Sequence, residues 1–383
     1  MIRLLSIQPV AERGGSDHAL LRMIRCLPSD EFDCHVVLPG PSPLAEEFRS
    51  AGATLHTIRM HRISTGHGVR AWIAYAMRWP ATVARIARLA RRLDISVVHS
   101  NSLHSWYGWA VAALLRRPHV WHAREIVVQS GTALRLERFL ARHFAAELVC
   151  MSQAVADQFA EHFDGAHLAV VYETVDPDEY RPDLAGRFRT RVGIPDDAPL
   201  AGAAGRFDTW KGFGVLLDAF ERAKEKQSGI QLVIAGAAVA GKEAYAASLE
   251  ARAARMHDVH WVGHRRDLPE LYADVDLFVV PSTEPEPYGL VAVEALASGT
   301  PVVVTAAGGA PEILERATPG SGRTVPPGDP LAMAHALVEL LPEKTSTAAR
   351  SGRPSRQPPS EMHRLAEIFR HADTTGLRHP HAP

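Results

Sequence analysis

The chain has 383 residues, 46% of them apolar and 22% charged, with a formal net charge of −1. That composition is ordinary for a soluble globular chain and gives no bulk affinity for nucleic acid. The length predicts two or three domains, each large enough for its own core, and the lack of a run of about 18 uncharged apolar residues predicts no membrane-spanning helix.

In chain order, residues 1–7 are too short for a secretory apolar region and read as a first strand. Cys26, Cys34 and Cys150 are odd in number and lack a C-x-x-C or partnered His spacing. Reduced buried thiols and a cytosolic setting are therefore expected. Strand-like runs at 4–10, 34–38, 54–60, 97–100, 119–122, 148–152 and 169–172, with helix-period segments between most of them, predict a doubly wound parallel sheet. After the first run comes Glu12-Arg13-Gly14-Gly15-Ser16-Asp17, a glycine-rich loop at a helix start where Ser16 or Asp17 is expected to cap. It is not the G-x-G-x-x-G pattern, which argues against a dehydrogenase. A plain tight turn is the alternative.

Between Arg49 and Arg142 there are fifteen arginines against three acidic residues (Asp94, Glu125, Glu137), a local balance of +12. Such a patch can face anionic lipid or phosphorylated substrates. Within it, residues 70–93 carry Trp72 and Trp79. Beyond Pro80, where the helix is expected to restart, Val83, Ile86, Leu89, Ala90 and Leu93 share one arc while Arg85, Arg88 and Arg92 share the other. The pattern fits a membrane-surface helix, or an ordinary amphipathic helix of the first domain. His122, in Val120-Trp121-His122-Ala123-Arg124-Glu125, ends a strand at the carboxyl edge, where doubly wound sheets bind ligands. It is either a hydrogen-bonding group there or a histidine packed at a strand end. Ser100-Asn101-Ser102 closes the preceding strand in the same way. The run 177–199, containing Pro177, Pro182 and Pro195, is expected as a linker between a first domain of 1–176 and a second of 200–341.

A second alternating series follows at 200–204, 232–235, 260–262, 277–280 and 302–305. It opens with Gly205-Arg206-Phe207-Asp208-Thr209-Trp210-Lys211-Gly212 between a strand and a helix. Two cations around such a turn can close on a diphosphate, Arg206 as a fork and Lys211 as a point charge; a solvated turn is the bland alternative. Gly263-His264-Arg265-Arg266-Asp267 precedes a helix-like 268–275. Then Pro281-Ser282-Thr283-Glu284-Pro285-Glu286-Pro287-Tyr288-Gly289 leads into a helix at 290–298 and a strand from Val302, one βαβ unit. Glu286 and Glu294 would stand on the order of 10 Å apart, a span that suits the two ends of a nucleotide sugar. The N–H groups of Tyr288, Gly289 and Leu290, with the helix dipole behind them, would receive phosphates. Two solvated glutamates are the alternative. Gly308-Gly309-Ala310-Pro311-Glu312 reads as a turn with a proline-led helix start. Residues 342–360 are compositionally flexible, 361–371 read as a final helix, and 374–383 as a disordered tail.

Glu286-Pro287-Tyr288-Gly289 with Glu294, followed by Ala297-Ser298-Gly299-Thr300-Pro301-Val302-Val303 and joined to Gly205-Arg206…Lys211-Gly212, resembles the signature of the retaining glycosyltransferases of the large bacterial family 4. The resemblance extends from Leu4 to about Leu341. It implies an α/β GT-B architecture, two doubly wound Rossmann-like domains facing across a cleft, with an acceptor on the first and a nucleotide-sugar donor on the second. It implies that Glu286 holds hydroxyls of the donor sugar and Glu294 the ribose. Gly14 and Gly15 would lie beside the donor phosphate, although Asp17 stands where the family more often has Glu. Arg206 and Lys211 match its diphosphate-binding cations, His122 its histidine near the donor sugar, Gly263 and its neighbours the stretch over the base, and Gly308 to Glu312 the segment beside sugar and phosphates. Ser100 to Ser102 would line the acceptor side. Tyr172-Glu173-Thr174-Val175-Asp176 departs from the usual Asn-Gly-Val-Asp, and a final helix in this fold commonly packs back on the first domain. The implied reaction moves a sugar with retention to a glycan, lipid-linked or small-molecule hydroxyl. Glu286, His122, Arg206 and Lys211 carry it, a leaving-group oxygen acts as base, and no metal or other cofactor is expected. The expected location is the cytoplasm, at the inner face of the cell membrane. A sugar-nucleotide epimerase of the same fold and a catalytically silent partner subunit are the alternatives.

Overall fold

The computed structural model describes residues 1–11, 14–61, 69–128, 130–163 and 167–375. The chain divides into two compact units, one built from Met1–Glu173 with the chain from Ser360 onward, the other from Thr174–Pro359.

The first unit holds β1 (Ile2–Ile7), β2 (Phe32–Leu38), β3 (Thr54–Thr57), β4 (Val97–Ser100), β5 (His119–Ala123), β6 (Glu147–Cys150) and β7 (Leu168–Val170), in the order β3-β2-β1-β4-β5-β6-β7. Every pairing is parallel. Its central strands β4, β5 and β6 are buried along their whole length, polar His99, Ser100, His119, His122 and Glu147 included, so their side chains do not alternate between core and solvent. The second unit holds β8 (Leu200–Phe207), β9 (Gln231–Ala238), β10 (Val259–Gly263), β11 (Leu277–Val280), β12 (Val302–Thr305) and β13 (Gly322–Val325), ordered β10-β9-β8-β11-β12-β13 and also parallel. In both sheets the winding reverses beside the first strand, between β1 and β4 and between β8 and β11. Helices diverge there and leave a crevice at the carboxyl ends of the strands.

β13 escapes the sequence pattern because it is an edge strand in which Arg323 and Thr324 are exposed and only Val325 is buried. A Cβ at Gly322 would lie 1.9 Å from the Val302 carbonyl oxygen, so this glycine is what lets the strand approach β12. The helix over residues 70–93 is one element, Val69–Arg92, continuous through Pro80 rather than restarting there. Val83, Ile86 and Ala90 are its buried arc, while Arg85, Arg88 and Arg92 are exposed.

The two segments expected as linker and flexible run are folded parts of the second unit. Residues 177–199 contain a turn of 3-10 helix, Pro182–Leu184, and the helix Arg187–Val192, with Phe188 and Arg189 buried. Residues 342–360 contain the helix Thr347–Ser351, capped by Ser346, and a fully buried Arg350. What holds them is charge. The main-chain N–H of Arg189 donates to Asp274 at 3.0 Å and its guanidinium to Asp276 at 2.9 Å; Arg353 donates to Asp276 at 2.8 Å, and Arg350 pairs with Asp196 and lies 3.7 Å from both Asp274 and Asp276. Composition counts apolar residues, so a segment stabilised by paired buried charges looks disordered. The last helix, Arg364–Thr375, starts and ends later than residues 361–371 and lays Leu365, Ala366, Phe369 and Ala372 into the first unit's core beside Phe32 and Val97. Thr374 and Thr375, read as part of a disordered tail, belong to it; the rest of that tail lies outside the described residues.

The first unit also buries three histidines in adjacent strands: His99, His119 and His122. Burial pushes His119 down to about 3 and the other two well below the usual imidazole value. The unfolded chain takes up these protons below about pH 6.5, whereas the folded chain resists them. Their stabilisation is therefore complete above that pH and declines as the pH falls towards the folded values. Each contributes up to about 1.4 kcal/mol per pH unit. We expect urea midpoints to drop between pH 7 and pH 5, and His119→Gln to flatten that slope by about a third for three equal contributors. An unchanged slope in the variant would show that carboxylates alone set it.

Candidate active site

In the second unit the site grows from the switch point between β8 and β11. β8 ends at Arg206-Phe207, a 3-10 turn spans Thr209–Lys211, and Gly212 opens the helix Phe213–Lys226 at φ +69°. A Cβ on Gly212 would meet the Pro281 carbonyl oxygen at 1.9 Å, so glycine is what lets the β8 loop lie against the β11 loop. Thr283 fastens the two by donating its N–H and hydroxyl to Trp210 O at 2.7 and 3.1 Å. This brings Lys211 to Glu286. The ammonium reaches both carboxylate oxygens, at 3.0 and 2.7 Å, and Ser282 donates its hydroxyl to the same carboxylate at 2.8 Å. Lys211 also lies 4.3 Å from the Trp210 ring centroid.

The main chain of Glu286 is pinned as firmly. It forms a parallel bridge with Gly308, with Gly309 N–H donating to Glu286 O at 2.7 Å. Gly308 holds φ +68°, and a Cβ there would sit 2.2 Å from that oxygen. Glu286 is 7% exposed, so it is a held, paired carboxylate and not a solvated loop residue. Arg206 is not brought to Lys211: it is exposed, and its guanidinium has no hydrogen-bond partner among the described residues. The pair of cations expected to close on a diphosphate is thus one exposed arginine and one lysine already bound to Glu286.

Gly289, at φ +103°, begins the helix Leu290–Ala297, whose N-terminus no side chain caps. Its free N–H groups and dipole favour an anion. Tyr288 is fully buried, so its ring belongs to the packed interior. Glu294, one turn into the helix and half-buried, accepts the Tyr272 hydroxyl at 2.7 Å. Gly263 ends β10 at φ +64° with open space beside it. The triplet Asp274-Val275-Asp276 is taken by the arginines described above.

In the first unit Gly14, not Ser16 or Asp17, is the cap residue of the helix Gly15–Cys26 and offers no side chain. Asp17 is buried within the first turn, and Gly15 is exposed with nothing within 4 Å of where a Cβ would lie. His122, on β5, is 1% exposed. Its Nδ1 lies 3.3 Å from Arg124, and its Nε2 has no partner among the described residues. Such an orphan costs about 1–3 kcal/mol. Arg124 donates to Asn101 Oδ1 at 2.9 Å and to Glu173, which also receives Arg22 at 3.3 Å. Asn101 in turn donates to Gln8 and to the Ser16 carbonyl, both at 2.9 Å. Burial holds Arg124 down to about 9. Glu125 orders the neighbouring loop by accepting from Ser102, Leu103 N–H at 3.0 Å and Arg124 N–H at 3.1 Å. Sequence reasoning missed Gln8, Arg124, Glu173 and Ser282. One signal was present, the Glu-Thr at 173–174 where Asn-Gly is usual.

Two doubly wound parallel units, each with its sheet order reversing beside its first strand, define the GT-B class of fold. Residues 13–179 match the model for Glycosyltransferase Family 4 and residues 198–343 that for glycosyl transferases group 1. A D-inositol 3-phosphate glycosyltransferase of Xylanimonas cellulosilytica is 33% identical over 66% of this chain and 59% of that protein. An uncharacterized glycosyltransferase of Methanocaldococcus jannaschii is 29% identical over 62% of this chain and 65% of its own. The chain spans 47% to 65% of the length of such curated relatives. Among solved structures, HepE of Anabaena in complex with UDP and glucose superposes with a TM-score of 0.74 over 98% of both chains at 23% identity. Sucrose-phosphate synthase of Thermosynechococcus elongatus gives 0.69 over 98% and 94% at 19%. The chain belongs to the family 4, group 1 glycosyltransferases.

Because Glu286 is paired, Glu286→Gln leaves Lys211 without its counter-charge. With side chains 18% and 9% exposed, the loss should be about 1–3 kcal/mol, below that of a wholly buried pair. Lys211→Met with Glu286→Leu should recover part of it. Urea unfolding of the three variants checks this; a double variant no more stable than Glu286→Gln would show that the pair is not the cause.

Proposed function

We propose that this protein is a glycosyltransferase that moves a sugar from a nucleoside diphosphate donor to a hydroxyl acceptor with retention of anomeric configuration. The observation that carries it is the pinned Lys211–Glu286–Ser282 cluster beside the uncapped helix at Gly289, within a family 4 chain. Glu286 has its carboxylate fixed to receive sugar hydroxyls, while Lys211 and the helix N-terminus supply positive charge to the departing diphosphate. Arg206 adds an exposed cation. Preorganised charge of this kind stabilises a leaving group without reorganisation, and fixed hydroxyl contacts align the anomeric carbon. Glu294 holds the ribose end and is itself held by Tyr272.

UDP-glucose is the donor to assay first, because the Anabaena neighbour binds UDP and glucose. Phosphorylated polyols are the acceptors to assay first, because curated relatives carry the name D-inositol 3-phosphate glycosyltransferase. A donor panel read by nucleotide release, with the product anomer assigned by NMR, tests the reading. Glu286→Gln should lower turnover about 10²-fold, and Glu294→Ala should weaken UDP binding in calorimetry. Wild-type turnover in Glu286→Gln, or an inverted product, would overturn it. The cations named here carry the diphosphate charge without a metal, so chelator should leave activity intact. Full loss restored by magnesium or manganese would refute that.

The acceptor is proposed to be presented at an anionic membrane surface by the first unit. On the helix Val69–Arg92, Trp72, Ile73 and Met77 are 39%, 55% and 78% exposed, and Leu114 is 61% exposed. Exposed Arg70, Arg78, Arg85 and Arg88 lie on the same helix. Each surface arginine adds about 1 kcal/mol of attraction to anionic lipid. Sedimentation with vesicles should rise with anionic lipid and fade with salt, and Arg85→Gln, Arg88→Gln and Arg92→Gln together should reduce it. Protein left in the supernatant at low salt would favour a soluble acceptor.

A further inference from the structure

Among the buried polar atoms of the first unit that have no partner in the described residues, which include Arg22 Nε and the neighbouring His99 Nε2, is His122 Nε2. A guanidinium only donates. At 3.3 Å from Arg124, His122 Nδ1 must therefore accept, which leaves the ring proton on Nε2. Nε2 has no partner among the described residues, on a side chain 1% exposed at the carboxyl edge of β5. Arg124 has no freedom to turn away. Its Nε is bonded to Asn101 at 2.9 Å and its remaining nitrogen to Glu173, a side chain with no exposed surface. Asn101 is fixed by Gln8 and the Ser16 carbonyl, and Glu173 by Arg22. The network thus joins residues just past the ends of β1, β4 and β5 to the first helix and to Glu173, three residues past β7. A second imidazole, His99, lies 5.9 Å from His122, and its own Nδ1 is engaged by Ser6 at 3.1 Å.

We propose that Arg124, anchored by Glu173 and Asn101, is a positioning residue that fixes His122 as an Nε2–H donor aimed at an oxygen of a bound ligand, a sugar hydroxyl or a phosphate. This rests on the glycosyltransferase reading. Burial and the neighbouring charge of Arg124 keep the ring neutral, so it donates one proton from one defined atom. Glu173 and Arg124 then explain one another: the carboxylate that replaces the usual Asn-Gly turn is the counter-charge without which a buried arginine could not stand beside a histidine.

Nitrogen-15 NMR of histidine-labelled, ligand-free protein reads the tautomer directly. Wild type should show His122 as the Nε2–H form, and Arg124→Met should lose that form or mix it. Arg124→Met with Glu173→Met, which removes both charges together, serves if the single variant is unstable. A wild-type Nδ1–H ring, or an unchanged tautomer in a folded Arg124 variant, overturns the proposal. Kinetics separate positioning from structure: with UDP-glucose, Arg124→Met should lower kcat about 10²-fold with little change in KM. His122→Gln keeps a donor near the Nε2 position that needs no tautomer. In that background the Arg124 change should cost little, and an equal loss in both backgrounds would make Arg124 merely structural. If wild type turns over no donor, the transferase reading fails while the tautomer result still decides the role of Arg124.

Discussion

A lysine and a glutamate 75 residues apart meet as a two-toothed ion pair, and neither can be in place unless β8 and β11 lie side by side. That adjacency is the switch point of the second sheet. Everything else described there supports it: Gly212 permits the loops to touch, Thr283 fastens them to Trp210, and Gly308 gives room to the Glu286 main chain. The pair is expensive to bury and holds only because the carboxylate also receives Ser282 and the lysine lies against an indole. The cluster is therefore rigid before any ligand arrives, which is the condition under which fixed charge acts on a leaving group.

The first unit solves the same problem with different chemistry. Its switch point is occupied by a connected set of neutral and charged side chains from Gln8 to Glu173, in which nearly every donor has an acceptor. Such a network is costly when half satisfied and specifying when complete. This one leaves His122 Nε2 open, as it does Arg22 Nε, and His122 Nε2 is the atom proposed to meet a ligand oxygen. Three histidines buried neutral in adjacent strands make this unit sensitive to acid, whereas the second unit stores its buried charge as arginine–aspartate pairs.

The arginine–aspartate cluster also shows how two segments of linker-like composition become folded parts of the second unit. Two segments poor in apolar residues, around Arg189 and around Arg350, are bound to Asp274 and Asp276 at one end of the second unit. The chain then leaves for the last helix, whose apolar face completes the first unit's core. Charge pairing fixes those segments within the second unit, and hydrophobic burial fixes the last helix within the first.

The sequence by itself determined the class of fold and named the candidate residues of the second unit's site. Apolar runs of strand length alternating with helical periods specify a doubly wound sheet, because each strand must be buried on both faces. The Glu286, Glu294 and Lys211 motifs lie in short local stretches that read without a structure. Only the tertiary structure decided which of those groups meet. Arg206 and Lys211 are neighbours in sequence yet are not paired, while Lys211 and Glu286 are distant and are. It also decided that Glu173 is a counter-ion, that β13 is a strand, and that the Pro-rich segments are ordered. Periodicity records a residue's relation to its own strand or helix, whereas ion pairs, edge strands and buried hydrogen-bond networks depend on which strands become neighbours. That information lies in the packing.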